Sequence, residues 1–72
     1  MIKYIDGKQM KNEIKKAIID NGTTQKKVAE NMGMLPQTFV SMLNKQNISF
    51  NDVKRICDTM GIELYFEFKK KE

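Results

Sequence analysis

Apolar residues recur along most of this chain at intervals of three and four, and the breaks between them fall on residues that stop or start helices. Met10, Ile14, Ala17 and Ile18 form one set, ended by Asn21 and Gly22. Val28, Ala29 and Met32 form a second, ended by Gly33. Leu35, Phe39, Met42 and Leu43 form a third, followed by a polar break over residues 44–47, and Phe50, Val53, Ile56 and Met60 form a fourth, stopped by Gly61. At ~100° per residue each set gathers on one face, so the chain is confined to short amphipathic helices that bury those faces against one another. The start signals agree. Asp6, three residues before Gln9, is an acidic capping box with a weak helix former, Gly7, at the first helical position. Thr23 and Thr24 offer an N-cap for the second helix, and Ser49 caps the fourth with Asp52 in the reach-back position. Pro36 opens the third, where its missing N–H has no helical partner to lose. The expected helices run over roughly 7–21, 25–32, from Pro36 onward, and 50–60.

After Gly61 the period changes from 3.6 to 2. In IELYFEF, Ile62, Leu64, Phe66 and Phe68 share one face and Glu63, Tyr65 and Glu67 the other, the pattern of a half-buried strand over residues 62–68. A short β-prone run, IKYI at residues 2–5, is one candidate partner for it, and the same strand from a second copy is the other. Phe66 and Phe68 are too large to sit exposed on so small a domain, so we expect a homodimer with Leu64, Phe66 and Phe68 in the contact. The expected fold is mainly α: one domain over residues 1–72, a four-helix bundle with a C-terminal β-strand and IKYI as a candidate short N-terminal strand.

Composition removes several functions. The chain has no histidine and a single cysteine, Cys57, so Ser-His and Cys-His nucleophile pairs are excluded and no disulfide framework is expected. A zinc site would need carboxylates alone, and no tight cluster of them occurs. We expect no catalysis, no cofactor and no metal. The N-terminus lacks an apolar signal region and no run is long enough to span a membrane, so the chain reads as cytoplasmic. Cys57 lies in an apolar helical region and is expected as buried filler. The formal charge is +4 with a pI of about 9.3, but half of that excess sits in the terminal KKKE. Such a charge favours polyanionic partners only mildly.

One stretch stands apart from this charged background. GMLPQTFVSML, residues 33–43, carries no charge in a chain that is 31% charged. Opposite its oily side lie Gln37, Ser41 and Asn44, a stripe of uncharged hydrogen-bonding groups. The surrounding spacing is specific. Counting Gln25 as the first position, a small residue, Ala29, falls at the fifth and a glycine, Gly33, at the ninth. Phe39 and Met42 follow at the fifteenth and eighteenth. A small side chain lets the next helix cross close above it, a glycine supplies positive φ for the sharp turn, and the two apolar residues plug the second helix of the pair onto the first.

With these residues in place, TTQKKVAENMGMLPQTFVSMLN resembles the helix-turn-helix of the phage repressor/Cro family, over residues 25–44. The following ISFNDVKRICDTMGI is similar to that family's next helix, and the likeness extends over roughly residues 9–62. The resemblance implies sequence-specific binding of double-stranded DNA by a small transcriptional regulator of repressor type. It implies that Gln25 clamps a phosphate, that Gln37, Thr38 and Ser41 reach base edges in the major groove, and that Asn44 and Lys45 lie near the sugar-phosphate backbone. A homodimer would then meet two half-sites about one helical turn (~34 Å) apart on a roughly palindromic site.

Side-chain chemistry adds to that implication. Glutamine can donate to and accept from one adenine edge, so Gln37 is the leading base contact, and Val40 can touch a thymine methyl. Lys26 and Lys27 start the second helix where its positive end favours phosphate. Lys11, Lys15 and Lys16 read as a solvated face of the first helix. The sequence departs from the family in three places: Leu35 stands where a Ser or Thr cap is usual, Leu43 where an acid is common, and Lys45 where a glycine often occurs. A rival reading takes the same fold as a protein-interaction module, such as an antitoxin-like partner, using Met34, Leu35 and Val40 as an apolar contact.

Overall fold

The computed structural model describes residues 2–71 and contains four helices: α1, Gly7–Asp20; α2, Gln25–Asn31; α3, Pro36–Leu43; and α4, Phe50–Thr59. Each starts within a residue of the place where the capping pattern puts it, because a cap is a local bond. The Asp6 carboxylate accepts from the Gln9 N–H at 2.8 Å, Thr24 Oγ1 from the Lys27 N–H at 3.1 Å, and Ser49 Oγ from the Asp52 N–H at 3.0 Å. Gln9 reaches back one residue further than the usual box, its Oε1 accepting from the Ile5 N–H while Nε2 donates to the Lys3 carbonyl. The Asp52 carboxylate is drawn toward Arg55, 3.7 Å away. Helix α3 has no side-chain cap at Leu35 and starts on Pro36 instead.

Helix α2 is the hub and packs against α1, α3 and α4. Ala29 and Phe39 are fully buried between them, with Val28, Leu43, Val53 and Ile56 at 2% exposure or less. Ile14 and Ile18 close the core from α1, and Met10, Met32, Met60, Ile62 and Leu64 pack around its edge. Between α2 and α3 the chain reverses over residues 32–35, with Gly33 at φ 72°. That conformation costs an L side chain roughly 1–2 kcal/mol, which explains the glycine. Gly7 has a different reason. It is buried in the first turn of α1, and a methyl there would overlap the Gln46 carbonyl oxygen, so α1 and the turn after α3 touch backbone to backbone.

Two expectations are corrected. The predicted strand over residues 62–68 does not form, nor does one at residues 2–5; among the described residues there is no strand. A strand exists only with a ladder partner. The candidate partner at residues 2–5 is tied to α1 through Gln9, which occupies Lys3 O and Ile5 N. Among the described residues, residues 62–71 make one backbone–backbone hydrogen bond, from Ile62 N to Cys57 O. The period-two pattern survives only at its start: Ile62 and Leu64 lean on the core, whereas Phe66 is exposed and stacks on Phe50. The second correction concerns two residues assigned to buried stripes. Leu35 is 67% exposed and Phe50 54% exposed.

Cys57 is buried on α4, as expected. Burial, and secondarily the neighbouring Asp58 carboxylate, push its thiol up from the ordinary cysteine value. Thiolate is the reactive form, so near-neutral labelling by a disulfide reagent should be at least ~100-fold slower in the native protein than in denaturant. Equal rates in the two conditions would show that α4 does not hold its place.

Candidate nucleic-acid interface

The outward face of α3 follows from the packing of its inward face. Phe39, Met42 and Leu43 are 6% exposed or less and hold the helix in the core against α2, which leaves Gln37, Thr38, Val40 and Ser41 in solvent. These four occupy one side within two helical turns, as the base-facing reading requires. The side chains of Gln37, Thr38 and Ser41 make no hydrogen bond to the rest of the protein among the described residues, so their donors and acceptors are available to a partner. Val40, 42% exposed, adds an aliphatic group to the polar stripe, and Leu35, at the start of the helix, is 67% exposed.

The expected phosphate contacts divide into two groups. Asn44 caps the C-terminus of α3, its N–H bonded to the Val40 carbonyl at 3.0 Å, and Lys45 follows it in the exposed turn. Both continue directly from the Gln37–Ser41 stripe. Gln25, Lys26 and Lys27 start α2, where the two lysines are exposed and Gln25 is half-buried.

The structure adds one residue that sequence reading assigned to solvent. Lys11 of α1 donates from Nζ to Asn44 Oδ1 at 3.0 Å, across 33 residues of sequence. With Lys8, Lys45 and Gln46 it borders an open recess of about 220 Å³ whose lining contains three lysines and no carboxylate. Only the helical phase of Lys11, one turn beyond Gly7, hinted at this placement.

The expected dimer contact is partly rearranged. Leu64 is half-buried against its own core, whereas Phe66 and Phe68 are 64% and 94% exposed. With Phe50 they form an aromatic row, the Phe50 and Phe66 rings stacked at 5.7 Å and the Phe66 and Phe68 rings edge-on at 5.8 Å. Phe50 is the member of that row that the helical period had placed inside. No helix of the described residues is long and apolar enough to cross a membrane. Comparison of the chain with protein-family models, with curated proteins and with solved structures finds no match.

Proposed function

We propose that this protein binds double-stranded DNA sequence-specifically, with α3 in the major groove, and acts without catalysis as a small cytoplasmic regulator of repressor type. One observation carries the reading: α3 is fixed by a buried face and presents, on the opposite face, a charge-free row of exposed Gln37, Thr38 and Ser41. In this reading those residues and Val40 face bases. Gln25, Lys26, Lys27, Asn44 and Lys45 face phosphates, which position the helix without specifying sequence. A second copy covers Phe66 and Phe68, giving a symmetric dimer on a roughly palindromic site.

The test is selection of duplexes from a random pool at moderate salt, followed by affinity measurements across a salt series. An enriched palindrome whose binding weakens steeply with salt is expected, since each neutralised phosphate contributes a slope of about −0.9 in log K against log salt. The second reading, an apolar protein contact, draws on exposed Leu35 and Val40. It predicts no enriched duplex and a partner affinity nearly indifferent to salt. The dimer is checked separately by sedimentation equilibrium. The wild type is expected to be dimeric and the double variant Phe66→Ser, Phe68→Ser monomeric and folded; a dimeric double variant would place the contact elsewhere.

A further inference from the structure

The hydrogen bond between Lys11 and Asn44 determines more than the position of a lysine. An ammonium can only donate, so the Asn44 amide must turn its oxygen toward Lys11 and its nitrogen away. One of the two lone pairs of that oxygen is thereby occupied. Two N–H groups on Asn44 Nδ2 and two on Lys11 Nζ remain to donate, in a recess that Lys8 and Lys45 also line. The recess is held in shape by backbone, because Gly7 of α1 lies against the Gln46 carbonyl with no room for a side chain. A base edge in the major groove offers donors as well as acceptors and is matched by mixed groups such as Gln37. A recess lined by three lysines, the Asn44 N–H groups and no carboxylate matches an anionic oxygen instead.

We propose that Lys11 and Asn44 act as one unit that grips a single backbone phosphate of the duplex beside the C-terminal end of α3, with Lys8 and Lys45 adding charge around it. The inference rests on the DNA-binding reading and deepens it. Helix α1 becomes part of the interface, and Lys11 holds the Asn44 amide in its phosphate-facing orientation before DNA arrives. The register of α3 along the groove is then set at both ends: by base contacts in the helix and by this phosphate at its end.

Two variants of the full chain, measured on the duplex selected by the wild type, test it. Lys11→Met removes the charge and the tether. It should lower the salt slope by about 0.9 and weaken binding roughly tenfold at about 0.1 M salt, as loss of one phosphate contact requires. Asn44→Asp keeps an acceptor for Lys11 and so should leave the melting temperature unchanged or raised. It sets a carboxylate against the phosphate, and binding should fall by at least ~10-fold. A merely structural brace predicts the opposite for Asn44→Asp: an ion pair in place of the hydrogen bond and unchanged DNA affinity. If the wild type binds a selected duplex and both variants match it in affinity and salt slope, the phosphate unit is overturned while the function stands. If the wild type retains no duplex, both fall together.

Discussion

Phe39→Ala will remove most of the stability of this protein. Phe39 is completely buried, the largest such side chain among the described residues, and it shares the core with the equally buried Ala29 of α2, the helix against which α3 packs. Truncating a buried phenylalanine costs about 3–5 kcal/mol in lost transfer energy and cavity. A 72-residue chain has in total roughly 4–11 kcal/mol at the usual 0.05–0.15 kcal/mol per residue. Thermal unfolding followed by circular dichroism should therefore show a midpoint lowered by ~15 °C or more, or no cooperative transition at all. DNA binding should disappear with it, because α3 has no other anchor of that size. A shift of only a few degrees would mean that the helix pair closes over the cavity and that the packing of α3 is not what fixes its outward face.

Gln37→Ala should act on recognition and leave the fold intact. Gln37 is exposed and bonded to nothing among the described residues, so its removal should move stability by less than about 0.5 kcal/mol. If it makes a bidentate contact to adenine, the loss is about 1–3 kcal/mol of discrimination, a factor of roughly 5 to 150, at one base-pair position. The salt slope should not change, since no phosphate contact is lost. Competition between duplexes differing at that position reads the effect directly. Helix α3 has no arginine, so A·T pairs are expected opposite Gln37 and Val40. A selected site with an obligatory G·C pair there would show that the polar stripe reads something other than adenine.

The two variants separate the roles that alternate along α3. One side chain is buried to hold the helix and the next is exposed to meet a partner, and eight residues are enough for both. The same economy explains why α3 tolerates Leu35 in place of a capping side chain. Its first turn is started by Pro36 and held by Phe39, so the helix does not depend on a hydroxyl cap. That leaves Leu35 in solvent at the start of α3.

Helix starts and stops were legible in the sequence because the bonds that make them span three or four residues. Asp6, Thr24 and Ser49 cap where their spacing says they should, and Gly22, Gly33 and Gly61 all take positive φ after a helix. The outward stripe of α3 was legible for a related reason. Once Phe39, Met42 and Leu43 face inward, helical geometry alone turns Gln37 and Ser41 outward. Contacts between distant segments were not legible. The approach of Gly7 to Gln46 and the bond from Lys11 to Asn44 exist only because α1 returns beside the end of α3, and no local pattern encodes that path. The period-two run at residues 62–68 put Leu64, Phe66 and Phe68 on one half-buried side, but of the three only Leu64 packs on the core, and a strand also needs partner backbone, which the described residues do not supply to it. Phe50 has the phase of a core residue but sits at the first position of α4, 54% exposed, and stacks with Phe66 at the surface. By itself the sequence determined which segments are helical and which face of each is apolar, because those follow from local bonds and angular spacing. The tertiary structure alone decided which polar groups stand together around α3, because that depends on where whole helices come to rest.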